Sequence, residues 1–212
     1  MPFASATVIA VCAFATFSGF LFLNALYLQE VRGLAAFTTG LCTLPIALAM
    51  SVCAPISGRL IGRFGARPPL MIGGAATALS AVMLVGVEAD TPLPWLIGAY
   101  TVFGVGFGLV NPPITNTAVS GMPRAQAGVA AAVASTSRQV GASMGVAIGG
   151  TLRRLEPAPA IAASSHAGFV TATHAFWWLV VAAGLIVIAL GRLATGAYAR
   201  ASVARIAALL DG

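Results

Sequence analysis

The sequence predicts an all-α polytopic membrane protein of six transmembrane helices, on three observations. Of its 212 residues, 59% are hydrophobic and only 8% charged, where an ordinary soluble domain carries about 25% charged residues. The mean hydropathy is +0.96, and a globule of this size still exposes roughly 25–30% of its unfolded surface, too much to hide so apolar a chain. Cutting the sequence at its charges leaves six apolar segments, each near the roughly 20 residues that a helix needs to cross about 30 Å of hydrocarbon. A soluble enzyme and a disordered chain are both excluded by this composition.

The first segment covers about residues 3–28 and meets no charge before Glu30. Ala13-Phe14-Ala15 has the form of a signal-cleavage site, but no Lys or Arg precedes it and the apolar run continues past it, so it is expected to stay uncleaved. The second segment, about 36–58, is interrupted by Pro45 and Pro55. The third, about 70–87, follows Pro68-Pro69 and ends before Glu88. In the fourth, about 95–116, Asn111-Pro112-Pro113 is expected to break the helix, because proline removes a donor and clashes with the preceding turn. The freed carbonyls, with Asn111 and Asn116, would then line a transport path or simply end the helix. The fifth, about 126–152, contains Arg138, and the sixth, about 175–192, opens with Phe176-Trp177-Trp178 as an interfacial anchor. Residues 1–195 form one bundle on this reading. The stretch from Arg154 to Thr173 is an outer loop, and residues 196–212 are a cytoplasmic tail with Arg200 and Arg205 near lipid headgroups.

All eleven basic residues are Arg, against five acids, for a formal charge of +6. They stand singly between apolar blocks, which points to membrane orientation and not to nucleic acid. With the N-terminus inside, Arg59, Arg63, Arg67, Arg124, Arg192, Arg200 and Arg205 are cytoplasmic and Arg32, Arg153 and Arg154 are outside; seven against three puts both termini in the cytoplasm. Cys12, Cys42 and Cys53 lie in apolar runs without C-x-x-C spacing, so neither a disulfide framework nor a metal site is expected, and no cofactor. Segments three and six are almost purely apolar, while amides and the intramembrane charge gather in the others. That order repeats after three helices, as two inverted three-helix units would give.

Arg138 is the strongest functional candidate. It lies roughly 15–20 Å into its helix at 1.5 Å per residue, where an arginine costs at least about 2.5–3.5 kcal/mol. It therefore needs a watery cavity, a partner, or a route by which to snorkel out, and no Asp or Glu lies well inside any apolar segment. Gln139 beside it, and Asn24, Tyr27 and Gln29 on the first helix, are transport-path candidates; for the amides, hydrogen bonding between helices is an equal alternative. Gly141-Ala142-Ser143-Met144-Gly145 fits G-x-S-x-G, with His166 and His174 downstream, and raises an intramembrane serine hydrolase as a remote alternative. A nucleophile elbow needs a strand–turn–helix, whereas Gly141, Gly145 and Gly149 have the small-xxx-small spacing of close helix packing.

The loop Gly58-Arg59-Leu60-Ile61-Gly62-Arg63-Phe64-Gly65-Ala66-Arg67-Pro68-Pro69-Leu70 carries an arginine every four residues. On a helical end these would share one face, either as an orientation anchor or as a cytoplasmic latch. The loop resembles the cytoplasmic motif G-x-L-x-D-R-x-G-R-[RK]-x-x-L of the major facilitator superfamily. Gly58, Leu60, Arg63, Gly65, Arg67 and Leu70 match, while Gly62 replaces the acid and Ala66 the first residue of the basic pair. Leu26-Tyr27-Leu28-Gln29, Gly106-Phe107-Gly108-Leu109-Val110-Asn111-Pro112-Pro113 and Ser137-Arg138-Gln139-Val140-Gly141-Ala142-Ser143-Met144-Gly145-Val146-Ala147 are similar, in this order, to the last six helices of the fourteen-helix drug:proton antiporters (EmrB/QacA-like). The resemblance implies one six-helix bundle of a two-bundle multidrug exporter that rocks around a central cavity. Its implied partners are membrane lipid, an N-terminal half outside this chain, amphipathic and often cationic drug-like substrates, and protons. The family's proton-carrying acids lie largely in that other half, so the resemblance also admits a truncated remnant that does not transport.

Overall fold

The computed structural model describes residues 2–120, 127–154 and 162–194, and every element in them is helical. Helix α1 (Pro2–Leu26) continues as a turn of π-helix (Tyr27–Val31), followed by α2 (Ala36–Phe64), α3 (Arg67–Val85), α4 (Leu93–Ser120), α5 (Ala127–Arg154) and α6 (Ala162–Ala194). Among the described residues, all but α5 are long and apolar enough to cross a membrane. Helix α5 has the length, but its run Ser135-Thr136-Ser137-Arg138-Gln139 makes it too polar to qualify on composition.

Small residues set how the helices meet. Gly141 abuts Val11, Gly145 abuts Ala15, and Gly149 faces Phe22 and Leu23, so α5 runs parallel to α1. Gly104 abuts Ile46 and Gly108 abuts Met50 and Cys53, so α4 runs parallel to α2. Gly74 meets Gly184 while Gly191 meets Leu70, which makes α3 and α6 antiparallel. Successive helices therefore alternate in direction. Exchanging α1 with α4, α2 with α5 and α3 with α6 turns the α1–α5 pairing into the α2–α4 pairing and leaves α3–α6 unchanged. This is the pattern of two equivalent three-helix units. At Gly104 a Cβ would stand 2.5 Å from the Ile46 carbonyl oxygen, so only glycine permits that approach.

An aromatic ladder fills the centre. Phe14, Phe17 and Phe20 of α1 interleave with Tyr100, Phe103 and Phe107 of α4: Phe20 stacks on Phe103 at 3.8 Å and Phe17 on Phe107 at 4.3 Å between ring centres. Trp177 of α6 closes edge-on over Phe20 at 5.6 Å. Each such pair adds about 0.5–1.5 kcal/mol beyond its burial, a contribution that counts where lipid removes the hydrophobic drive for helix association.

Several expected boundaries are corrected. Helix α2 passes unbroken through Pro45 and Pro55 and ends at Phe64, not residue 58. The arginine-bearing loop is therefore mostly helix: Gly65, at φ 79°, and Ala66 form the whole turn, and Arg67 opens α3. Arg59, Arg63 and Arg67 do not share one helical face. No residue within α2 has a positive φ, and Gly65, just past its end, adopts one. The tract 162–173, expected as loop, begins α6; past Pro157 and Pro159 its Ala-rich sequence has nothing to stop a helix. The expected tail 196–212 and Arg124 lie outside the described residues.

Asn111-Pro112-Pro113 does not break α4, which runs on to Ser120. Pro113 has no N–H to give the carbonyl of Leu109 four residues earlier. Ser57 of α2 supplies it, its hydroxyl donating to the Leu109 oxygen at 2.7 Å while both residues are buried. The freed carbonyl thus joins two helices and does not face a path. Ser57→Ala is expected to cost about 1–2 kcal/mol, the price of a buried unsatisfied acceptor. In a Pro113→Ala background, where an N–H returns, the loss should shrink by half or more; denaturation of the purified variants checks both.

Candidate functional site

Two polar constellations emerge, one closed and one open. The closed one ties α1 to α4 near the end where the α3–α4 connection lies. The Tyr100 hydroxyl donates to Asn24 Oδ1 at 2.7 Å, and Asn24 Nδ2 donates to the Phe20 carbonyl at 2.8 Å. Asn24 is 2% exposed and Tyr100 fully buried. Three residues along, the Tyr27 hydroxyl donates to the Glu88 carbonyl at 2.5 Å, and Arg32 donates to the carbonyls of Ala89 and Thr91 at 3.0 and 2.7 Å. A cavity of about 10 Å³ lies against Asn24, Tyr27, Thr173 and Trp177, space for about one water and nothing larger. Asn24 and Tyr27 thus spend their polar groups on helix packing, and Gln29 is exposed beyond them.

This arrangement gives a test. Tyr100→Phe leaves the buried Asn24 Oδ1 without its donor, at an expected cost of about 1–2 kcal/mol. Adding Asn24→Leu to Tyr100→Phe should cost less than the sum of the single changes by about 0.5 kcal/mol or more. A thermal-unfolding double-mutant cycle measures that coupling.

The open constellation lies between α1 and α5, toward the other end. Arg138 is half-buried, its Nε donating to the Ala134 carbonyl at 3.3 Å. Its guanidinium carbon sits 5.9 Å from the centre of the Phe14 ring, and Phe14 meets Phe107 edge-on at 5.2 Å. The chain of contacts Arg138–Phe14–Phe107 spans α5, α1 and α4. Beside it runs an open groove of about 290 Å³ lined by Val11, Ala132, Val133, Thr136, Ser137 and Val140. Ligand pockets that enclose a drug-sized molecule run from about 300 to 1,000 Å³ and bury most of it; this groove is open and lined mainly by apolar side chains. The described acids, Glu30, Glu88 and Asp90, lie at the opposite end of the bundle. At the depth of Arg138, then, the described residues offer an aromatic face and a carbonyl but no carboxylate.

Gln139 is exposed on α5 next to Arg138. Asn111 keeps its Oδ1 buried without a donor, and the side chain of Asn116 lies outside the described residues. Gly58, Leu60 and Arg63 fall in the last turns of α2, while Gly65 makes the turn to Arg67. The G-x-S-x-G run is α-helical throughout, with Gly141 and Gly145 pressed on α1 and Ser143 exposed on the far side. No elbow forms there, and the side chain of His166 lies outside the described residues.

Sequence reasoning missed Tyr100, Ser57 and the aromatic ladder. Phe14 and Phe17, and Tyr100, Phe103 and Phe107, recur at the three- and four-residue spacing of one helical face, and that was the available signal.

Among the described residues, six helices in two repeated three-helix units have the arrangement of membrane transporters. The sequence pattern of the Major Facilitator Superfamily matches residues 2–146, and the chain belongs to that superfamily. It is 36% identical over 152 residues to the tetracenomycin C resistance and export protein of Streptomyces glaucescens, covering 72% of this chain and 28% of that one. To the multidrug resistance protein Stp of Mycobacterium tuberculosis it is 35% identical over 134 residues, 63% of this chain and 25% of that one. To the puromycin resistance protein pur8 of Streptomyces alboniger it is 38% identical over 138 residues, 62% and 27% of the two chains. The aligned part thus amounts to about a quarter of the length of these relatives. The chain is a multi-pass membrane protein of a transporter family, and not an enzyme.

Proposed function

We propose that this chain is the C-terminal lobe of a drug exporter of the fourteen-helix antiporter type, and that export is driven by protons carried in a companion lobe. Helices α1 and α4 face the central cavity, α2 and α5 form the seam between lobes, and α3 and α6 face lipid. The observation that carries this reading is the uncovered side of α5. Ser135, Thr136, Gln139, Ser143 and Thr151 are exposed there among Val140, Met144 and Val146, a mixed polar and apolar surface that suits a protein partner, whereas α3 and α6 expose Ile72, Leu79, Val82, Leu185 and Ile186. The arginine-rich end of the bundle lies in the cytoplasm of a cell membrane, on the positive-inside rule. The substrates are amphipathic compounds, often cationic, in keeping with the resistance and export proteins that it resembles. By itself the chain is a non-transporting piece, because no described acid reaches the depth of Arg138.

The test expresses the chain in an efflux-deficient bacterium, alone and together with the first half of a resembling exporter, and follows a fluorescent cation. The chain alone should give no efflux. The pair should give efflux that a protonophore abolishes. Robust proton-driven efflux by the chain alone would refute the half-transporter reading.

A further inference from the structure

Four exposed arginines collect at one end of the bundle. Arg59 and Arg63 lie a turn apart at the end of α2, Arg67 opens α3, and Arg192 lies in the last turn of α6. The turn Gly65-Ala66 holds the first pair next to α3. Gly191 packs on Leu70 in the first turn of α3, so Arg192 lies at the same end of the α3–α6 pair as Arg67. Every described acid lies at the other end of the molecule, where Arg32 is already held by backbone carbonyls.

Arg63 and Arg192 suit their places, since a helix C-terminus favours a cation. Arg67 does not. It sits at the N-terminus of α3, the positive end of the helix dipole, with no acid in the first turn and no side-chain cap from Ala66. Gly62 stands where the resembled motif carries an acid. Positive potential therefore accumulates at α3 with no counter-charge from the described residues. On the same turn Phe64 is 68% exposed and, one turn into α3, Ile72 is 52% exposed. Apolar surface thus begins where the guanidiniums stand, the layering of a membrane interface.

We propose that Arg63, Arg67 and Arg192 form a binding site for the phosphate headgroup of an anionic membrane lipid, whose acyl chains lie on the apolar surface that Phe64 and Ile72 begin. A free anion would use the guanidiniums but not that surface, which favours the lipid.

The purified chain in neutral detergent is titrated with phosphatidylglycerol, phosphatidylcholine or inorganic phosphate, and its unfolding temperature is followed. Phosphatidylglycerol should raise it by several degrees, less so at high salt, and the other two should not. The variant R63Q/R67Q/R192Q should bind phosphatidylglycerol roughly tenfold or more weakly. Arg67→Gln alone, read by native mass spectrometry as loss of retained phosphatidylglycerol, gives the same answer if the triple variant does not fold. An equal rise in the variants, an equal rise with phosphatidylcholine, or an equal rise with inorganic phosphate alone each overturns the lipid site; the last assigns it to a soluble anion.

Discussion

Gly145→Leu is expected to abolish the folded bundle, and Gly145→Ala to lower its stability by about 1–3 kcal/mol, the usual range for overpacking. A Cβ at Gly145 would overlap the Ala15 carbonyl and stand 2.9 Å from the Gly19 nitrogen. Both are backbone atoms of α1, so no side chain can swing aside and the two helices must part. The α1–α5 pairing is the most extensive in the bundle, and Gly141, one turn away, is pressed on Val11 in the same manner. Separation at one glycine therefore loosens the whole pair. Gly150→Ala is the control, because nothing lies within 4 Å of its side-chain position. It should be neutral or stabilising by up to about 1 kcal/mol, the helix-propensity gain. Thermal unfolding of the purified variants, followed by tryptophan fluorescence, separates the outcomes; equal stability of Gly145→Ala and Gly150→Ala would refute close packing at Gly145.

What the sequence made legible was local. Segment number and approximate length follow from hydropathy, and Gly141, Gly145 and Gly149 announce a packing face by their spacing. Two features that the sequence misread or left open depend on a compensating group far along the chain. Pro113 looks like a helix breaker until Ser57, 52 residues earlier in sequence, is seen to hold the carbonyl it frees. For Asn24 the sequence left substrate contact and bonding between helices equal, and the donor that takes up its oxygen, Tyr100, lies 76 residues later. Spacing does not reveal which distant donor will arrive. The arginine every fourth residue suggested one face, but Gly65 at φ 79° divides the run between two helices. The cost of an arginine in a membrane is a property of the residue itself, so Arg138 could be singled out without knowing its neighbours.

Arg138→Leu is expected to separate stability from function. The guanidinium costs at least about 2.5–3.5 kcal/mol at mid-membrane, and what the described residues return is a cation–π contact of about 0.5–2 kcal/mol with Phe14 and one long bond to the Ala134 carbonyl. Removing the charge should therefore leave the chain equally stable or more stable by up to about 1–2 kcal/mol. On the proposal that the guanidinium beside the α1–α5 groove meets a group from a companion half, export by the paired chains should nevertheless fall tenfold or more. Arg138→Lys should fall between, keeping the charge while losing the planar stacking that guanidinium makes on an aromatic ring. Two measurements on the same variants decide the matter: unfolding temperature of the purified chain, and efflux per folded copy in cells. If Arg138→Leu lowers the unfolding temperature while efflux per copy holds, the guanidinium is a packing element bound to Phe14 and Ala134. If stability holds while efflux falls, the charge is kept at the expense of the fold for the sake of transport.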